Sequence, residues 1–348
     1  MFRLEDKNNA RHIKQNLPSQ FFPLPFADSF SFDHPLPPGD ASLLSSIMSS
    51  PVSLPLCLAS YNIYNTTSRY TTGRSELLSK TISSIPYDIM GLQEVALPEQ
   101  LAWITSSTQK ASSTQKDPLH EEEPLQSFPA PLKTSITDAR DPTFKIDGNA
   151  FLLLPSAAWS PVPGSHEVLH LSPDRVVQKI TLRHATENTT CVVANTHLHW
   201  CSDPLGLSTP ADAVIRLDQL QSALEFVSSV SNPDANIIVL GDFNSYTVDH
   251  TEEKIQDVFS DHGFTSCFEE ILGHNPVTVP TRLQAPTIIP ESSIEQRADA
   301  IFFRPSRNHT IQVLSAQLEE GLSSTDGTLC ASDHFALIAN ITITPKRP

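Results

Sequence analysis

The stretch Asn236–Ser245, Asn-Ile-Ile-Val-Leu-Gly-Asp-Phe-Asn-Ser, decides how the chain is interpreted. Its apolar run, Ile237–Leu240, is rich in β-branched side chains and predicts a strand buried on both faces. Asp242 and Asn244 follow Gly241 one residue apart, and in an extended chain their side chains point to the same side. A turn rich in Asp and Asn that closes a core strand is the competing interpretation. The rest of the chain has to decide between a site and a turn.

The composition limits the class of protein. The chain has 348 residues, enough for one large α/β domain or two ordinary ones, and 39% of them are hydrophobic. Its formal net charge is −16, so no basic surface is expected to capture a polyanion from a distance. This disfavours a tight, sequence-independent DNA-binding protein. It leaves open an enzyme that holds a phosphoester through a metal ion, because a hard cation requires carboxylates.

The cysteines predict a reducing compartment. They number five, are scattered, and form no Cys-x-x-Cys pair, which favours neither a disulfide framework nor a zinc site. The N-terminus lacks the apolar segment of a signal peptide, and no stretch approaches the ~18 apolar residues of a membrane span. We therefore expect an intracellular protein without integral membrane association, in the cytoplasm rather than the nucleus, although the nucleus stays possible.

Pattern changes along the chain predict three segments. Residues 1–52 are rich in Pro, Ser and Phe without a period and predict an extended leader. Residues 53–345 predict a single catalytic domain. Within it, residues 105–142 carry a short tandem duplication, an acidic run and several prolines, which predict a low-complexity surface insertion.

The order of elements predicts an α/β (α+β) fold. Strand patterns recur with only a few helices between them, such as the amphipathic run that starts near Arg74 and stops at Pro86, and the run 213–230. This is not a strict alternation of strand and helix. We therefore expect a four-layered α/β sandwich, in which two mixed β-sheets pack face to face with helices outside.

Several predicted strands end in a polar residue that a core strand would not place there. Each one by itself has an ordinary explanation as a turn former, a cap or a satisfied core residue. As a set they require many coincidences, and if the strands stack they converge on one rim. The set consists of Asn62, Glu94, His197, Asp242, Asn244, Asp299, Asp333 and His334.

The sequence motifs that carry these residues occur in a distinctive order. They are SYNI at 60–63, LQEV at 92–95, NTHLHW at 195–200, GDFNS at 241–245, RADAIFF at 297–303 and SDHFAL at 332–337. This ordered set resembles the endonuclease/exonuclease/phosphatase superfamily, the divalent-metal phosphoesterases related to pancreatic deoxyribonuclease, over about residues 54–343. One departure is Ala298, where the family usually has an aromatic or aliphatic residue.

The resemblance implies a metal site of oxygen ligands. Glu94 would be the central ligand of a Mg²⁺ or Mn²⁺ ion, and Asn62 and Asp333 would contribute nearby oxygens. Such ligands suit a hard cation that keeps several waters. Whether one metal or two operate stays open.

The resemblance also implies the catalytic groups for in-line attack of water on a phosphodiester. Asp242 would activate the water, and Asn244 and His197 would donate hydrogen bonds to the phosphate. His334 would contact the phosphate too, oriented by Asp299.

The substrate is less determined than the chemistry. NTHLHW and the DGNAF segment at 147–151 are similar to segments of the poly(A)-removing exonucleases, a branch that includes nocturnin and the Angel proteins. RNA or a nucleotide is therefore the favoured phosphoester substrate, and a 3′-5′ exonuclease is one form of this hypothesis. The alternatives are a phospholipid or inositol-phosphate hydrolase with the same site, and a non-catalytic binding module. Protein partners are not predicted.

Overall fold

The computed structural model describes most of the chain. The described residues are 52–63, 72–96, 98–113, 125–138, 141–154, 158–200, 208–229, 235–245, 255–279, 296–325 and 329–346. Contacts divide the chain into two units, Met1–Ser50 and Pro51–Pro348, and all described residues belong to the second. The predicted leader lies outside the described residues except for Val52.

Thirteen strands and five helices are described. The strands are β1 (Leu54–Asn62), β2 (Ile89–Val95), β3 (Gln126–Asp138), β4 (Asp141–Leu153), β5 (Trp159–Pro161), β6 (Glu167–Ser172), β7 (Arg175–His184), β8 (Thr190–His197), β9 (Asn236–Asp242), β10 (Thr265–Ser266), β11 (Asp299–Arg304), β12 (His309–Glu319) and β13 (Ala336–Pro345). The helices are α1 (Thr72–Ser84), α2 (Glu99–Ser113), α3 (Pro210–Ser228), α4 (Ile255–Asp261) and α5 (Cys267–Leu272).

The strands form two mixed sheets. The first has the order β12-β13-β1-β2-β4-β3, and the second has the order β10-β11-β9-β8-β7-β5, with β6 also paired to β7. Within each sheet one pair is parallel, β1 with β2 and β8 with β9, and the other named pairs are antiparallel. The predicted mixed sheets are confirmed.

Strand alternation produces the layers. Along β1, Leu54, Leu56 and Leu58 belong to the core between the two sheets, whereas Ala59 and Tyr61 belong to a second core beneath α1 and α2. On the other sheet, a third core packs β8 and β9 against α3 and α4. Helix, sheet, sheet and helix therefore form the four layers that the pattern of elements predicts.

The predicted low-complexity insertion at 105–142 holds more regular structure than expected. Helix α2 continues to Ser113, and β3 occupies most of the second half of the segment. Strand β3 lies at the edge of its sheet and pairs only with β4 among the described strands. An edge strand needs no apolar pattern, and it tolerates prolines such as Pro129 and Pro131 because one side of its backbone makes no ladder bonds.

Candidate active site

The predicted site residues lie where the internal faces of the two sheets end. In β9, Ile238 and Leu240 face the core between the sheets, and Asp242 continues the same two-residue period. In β1 the same alternation places the side chain of Asn62 on the face that Leu58 presents to this core. The strands thus change from apolar to polar on one internal face, and this forms a polar cleft at the end of the sandwich.

Glu94 reaches the cleft through an irregularity in β2. The register between β2 and β4 shifts between Leu92 and Val95, and Glu94 has φ 58°. In a regular strand Glu94 would share the outer face of Leu92, so the bulge re-aims its carboxylate. Among the described residues, only Glu94 and Asn244 combine a side chain with a positive φ. Positive φ values in non-glycine residues concentrate at functional sites.

The segment after β9 is a turn as well as part of the site. Asn244 has φ 51°, so the extended geometry that we predict for Asp242 and Asn244 ends at Asp242. The backbone N–H of Asn244 donates to Oδ1 of Asp242 over 2.8 Å, and its side-chain Nδ2 donates to the Leu198 carbonyl over 3.0 Å. The stretch is therefore a turn, and this turn places the predicted polar groups at the cleft.

Asn62 joins two carboxylates at the centre of the cleft. Its Nδ2 donates to Oδ2 of Asp242 over 2.8 Å and to Oε1 of Glu94 over 3.2 Å. The Asn62 carbonyl accepts from the hydroxyl of Ser332 over 2.7 Å, and this hydroxyl also accepts from the backbone N–H of His334. The loop before β13 is thereby tied to the end of β1.

His334 and Asp299 form a tight pair. Nδ1 of His334 lies 2.8 Å from Oδ2 of Asp299, and Nε2 lies 3.9 Å from Oδ2 of Asp242 and 3.9 Å from Oδ1 of Asp333. The backbone N–H of Asp299 donates to the hydroxyl of Thr278 over 3.1 Å. All predicted site residues are thus brought into one connected cluster, which His197 joins at 3.7 Å from Asp242.

Two networks that support the cluster were not predicted from the sequence. Gln93, a neighbour of Glu94, donates to Oδ1 of Asn195 over 2.8 Å and to the hydroxyl of Ser60 over 3.2 Å. Asn195 donates to the carbonyls of Leu92 and Ala150, so the network connects the two sheets beneath the site. The sequence signal that could have revealed this network is the presence of a second polar residue, Gln93 or Asn195, inside the LQEV and NTHLHW motifs.

Arg175 forms the second supporting network. Its Nε donates to the Leu198 carbonyl over 2.9 Å, the same oxygen that Asn244 contacts. The side chain is almost fully buried and forms an ion pair with Asp174 over 3.2 Å. A buried cation at the start of β7 therefore braces the turn that carries Asn244.

Burial and neighbouring carboxylates shift the pKa values of Glu94 and Asp299. Burial, together with Asp333 and Asp242, raises the pKa of Glu94 to about 7. Burial raises the pKa of Asp299 to about 6 even though His334 opposes this shift. Burial removes solvent from the charged forms of Glu94 and Asp299, and the neighbouring Asp242 repels both, so these two carboxyl groups are harder to ionise.

The two histidines shift in opposite directions. Burial lowers the pKa of His197 to about 3, so its imidazole is neutral near pH 7. Burial alone would lower the pKa of His334, but Asp299 and then Asp333 and Asp242 raise it well above its usual value. For Asp242, burial opposes ionisation but the two imidazoles and the hydrogen bonds outweigh it, which lowers its pKa.

The donor set fits a divalent cation. Ligand atoms of Asp242, Asp299 and His334 lie within 4.8 Å of one another, and Oδ1 of Asp299 is buried without a hydrogen-bond partner. The carboxylate of the half-buried Glu94 adds another oxygen donor that is costly to ionise without a cation. The metal ligands predicted from the resemblance were Asn62, Glu94 and Asp333, and which of the clustered oxygens bind the ion stays a prediction.

The comparison with protein families agrees with this geometry. A model described as the endonuclease/exonuclease/phosphatase family matches residues 59–334, a range that contains every predicted site residue. The chain belongs to this family. Its members are phosphoester hydrolases that typically use a divalent metal, and the chain is therefore assigned as such an enzyme.

Solved structures of the family share the fold. TDP2 from D. rerio, complexed with a single-stranded DNA product, is 16% identical, covers 82% of this chain and 98% of its own, and has a TM-score of 0.58. The catalytic domain of human nocturnin with a bound sulfate anion is 19% identical, covers 85% and 97%, and has a TM-score of 0.57. A family protein from Beutenbergia cavernae is 15% identical, covers 83% and 71%, and has a TM-score of 0.59. No curated protein is significantly similar to the chain in sequence.

Among the residues that the structure describes, no helix has the length and apolar character needed to cross a membrane.

Proposed function

We propose that the chain is a phosphodiesterase that uses Mg²⁺ or Mn²⁺ and acts on RNA or a nucleotide, with 3′-5′ exonuclease action as its specific form. The observation that carries this proposal is the connected cluster at the end of the sandwich. In it, Asn62 joins Glu94 to Asp242, and Asp242 lies next to the His334–Asp299 pair. This is an arrangement of acid, base and cation-binding groups around one small cleft.

The proposed metal ligands are Glu94 with Asn62 and Asp333. Hard oxygen donors favour Mg²⁺ or Mn²⁺ over softer transition metals. A bound divalent ion supplies positive charge next to the phosphoryl oxygens. Asn62 donates to both Glu94 and Asp242, so in addition it keeps the two carboxylates at a fixed separation.

The proposed base is Asp242. Its lowered pKa keeps it ionised near pH 7, so that it accepts a hydrogen bond from the attacking water and orients it. Neutral His197 lies 3.7 Å away and donates one hydrogen bond to the phosphate. Asn244 gives one amide hydrogen to the Leu198 carbonyl, and its second amide hydrogen is the one proposed to reach the phosphate.

The proposed electrostatic partner of the phosphate is His334. Its raised pKa makes it an imidazolium near pH 7, and Asp299 holds Nδ1 so that Nε2 faces the cleft. Charge that develops on the phosphoryl oxygens in the transition state is then stabilised by a group that is already in position.

We also propose a domain organisation and a cellular compartment. Residues 53–345 form the single catalytic domain and residues 1–52 a leader, consistent with the compact unit Pro51–Pro348. Three cysteines of the described residues, Cys57, Cys191 and Cys267, have free thiols, which supports the reducing interior of a cell, with the cytoplasm favoured.

The test is hydrolysis of a substrate panel by the purified chain with Mg²⁺ or Mn²⁺. The panel contains 5′-labelled oligo(A), single-stranded DNA, inositol phosphates and sphingomyelin. We expect stepwise shortening of the RNA from its 3′ end and a loss of at least about 10²-fold in Glu94→Gln. The matched control is Glu270→Gln, because Glu270 is an exposed carboxylate outside the cleft.

Two results would contradict the proposal. Turnover of inositol phosphates or sphingomyelin without turnover of RNA would show that the same site acts on the alternative class of substrate. Full activity in Glu94→Gln would remove Glu94 from the site.

A further inference from the structure

The segment that follows β8 connects the cleft to helix α3. The backbone N–H of Leu198 donates to the Asp242 carbonyl over 2.9 Å, and the Leu198 carbonyl accepts from Asn244 over 3.0 Å. Two residues later the chain reaches Trp200. Because neighbouring Cα atoms are about 3.8 Å apart, the Cα of Trp200 lies at most about 8 Å from that of Leu198.

Arg216 of α3 fixes the backbone of this segment. Its side chain is fully buried, and its Nη1 donates to the carbonyls of His199, over 3.3 Å, and of Trp200. Its Nη2 donates to the hydroxyl of Ser208 over 2.6 Å. A buried guanidinium is costly unless its N–H groups are satisfied, so these carbonyls are held firmly in place.

His199 is held on the same helix. Its Nε2 lies 2.9 Å from Oδ1 of the fully buried Asp212, and its backbone N–H donates to Oε1 of Gln219 over 2.8 Å. Asp212 also accepts from the backbone and the hydroxyl of Thr209 in the capping box of α3. Three side chains of one helix thus fix two consecutive residues beside the cleft.

Trp200 itself is exposed although its backbone is fixed. Its exposed fraction is 47%, compared with 2% for Trp159 in the core. A large aromatic side chain that stays in water is unusual, and such residues are concentrated at binding surfaces. A fixed backbone lowers the entropy cost of binding a ligand against the ring.

The charge of the chain favours stacking as the means of recognition. The net charge is −16, so long-range attraction does not hold a polyanionic substrate. Stacking between a base and an aromatic ring does not depend on net charge and tolerates every base, since each base has a π-face.

We propose that Trp200 is the platform on which the nucleobase next to the scissile phosphate stacks. This inference rests on the proposed function and makes it more specific: the substrate is a nucleotide or nucleic acid whose base lies outside the cleft, on the segment that α3 holds. The ring of Trp200 touches substrate, whereas Arg216 and Asp212 position it.

The test compares a dinucleotide with the same compound made abasic at the residue next to the scissile phosphate. For the wild-type chain we expect kcat/KM to be about 10- to 100-fold higher on the base-bearing compound. Trp200→Ala should bring this ratio close to one, because it removes the stacking that favours the base-bearing compound. Trp200→Phe should retain most of the ratio, since a phenyl ring also stacks.

Tryptophan fluorescence gives a readout that requires no turnover. Binding of an oligonucleotide should quench the emission of the wild-type chain, and Trp200→Phe should remove the quenching. Trp103→Phe is the matched control, because Trp103 is half-buried on α2 and should leave the quenching intact.

The outcomes separate the two proposals. If the wild-type chain hydrolyses the dinucleotide but Trp200→Ala leaves the ratio unchanged, the stacking inference is overturned and the proposed function stands. If no phosphodiester is hydrolysed, the proposed function fails, and the fluorescence titration still decides whether Trp200 binds a base. Quenching that persists in Trp200→Phe overturns the inference.

Discussion

Nδ1 of His334 lies 2.8 Å from Oδ2 of Asp299, which leaves Nε2 of the same ring directed at the Asp242 carboxylate. The pair joins two parts of the chain that are 35 residues apart. A carboxylate that holds one ring nitrogen fixes both the tautomer and the orientation of the other.

Asp299→Asn is expected to lower kcat by about 10²- to 10³-fold with little change in KM. The asparagine keeps a hydrogen-bond acceptor for Nδ1 but removes the charge that stabilises the imidazolium. Steady-state kinetics measure this, with Asp261→Asn at the exposed end of α4 as the control for loss of a carboxylate. Undiminished kcat in Asp299→Asn would show that His334 needs no charged partner.

Divalent metal is expected to stabilise the fold through the cleft. Without a cation, the half-buried carboxylate of Glu94 lies near Asp242 and Asp333, so Glu94→Gln should raise the free energy of unfolding in chelator by about 1 kcal/mol. Added Mg²⁺ or Mn²⁺ should raise the melting temperature of the wild-type chain but not that of Glu94→Gln. Thermal melts with and without metal measure both effects. An equal rise in melting temperature in the two proteins would show that the ion does not bind at Glu94.

Gly241→Ala is expected to destabilise the chain by about 3 kcal/mol or more. Gly241 has φ 148°, and a Cβ there would lie 2.1 Å from the Thr196 carbonyl oxygen on the parallel neighbour β8. Gly164→Ala is the matched control: it has φ 73° but no heavy atom within 4 Å, so only a backbone cost of about 1 kcal/mol is expected. Urea unfolding compares the two variants. Equal losses would mean that the approach of β9 to β8 does not require glycine.

Stability is expected to fall at alkaline pH because of buried thiols. Burial raises the pKa of Cys191 from 9.0 to about 12. Its contribution is therefore fully present below pH 9 and is lost as the pH rises towards 12, because the unfolded thiol ionises first. Between pH 8 and pH 10.5 the loss for this one group is about 2 kcal/mol.

Urea unfolding at the two pH values measures this loss. In Cys191→Val the free energy of unfolding should decrease less between the two pH values, because the variant lacks the thiol. The comparison uses the change with pH and not the stability itself, so any packing defect of the valine cancels. The same pH dependence in both proteins would contradict the assigned burial of the thiol.

The sequence predicted the strands that a buried face requires. Apolar runs such as Ile237–Leu240 are stable only when they are buried in a core. Their length and β-branched composition therefore predicted β9 and its neighbours. Edge elements were missed for the opposite reason. Strand β3 and the short β6 are half-exposed, and they exist because a neighbour offers backbone partners rather than because of their own pattern.

The candidate site residues were chosen from the sequence alone, because burying polar groups at the ends of apolar runs is costly, and such groups at the ends of several strands therefore indicate a site. The tertiary structure decided how they meet. The bulge that turns Glu94 into the cleft and the left-handed turn at Asn244 depend on pairing with distant strands, which no local pattern encodes. The fixed backbone of Trp200 likewise depends on a hydrogen bond from Arg216, which lies on α3 sixteen residues further along the chain. The local sequence therefore determined which residues are candidates for the site, whereas long-range backbone contacts determined where their atoms lie.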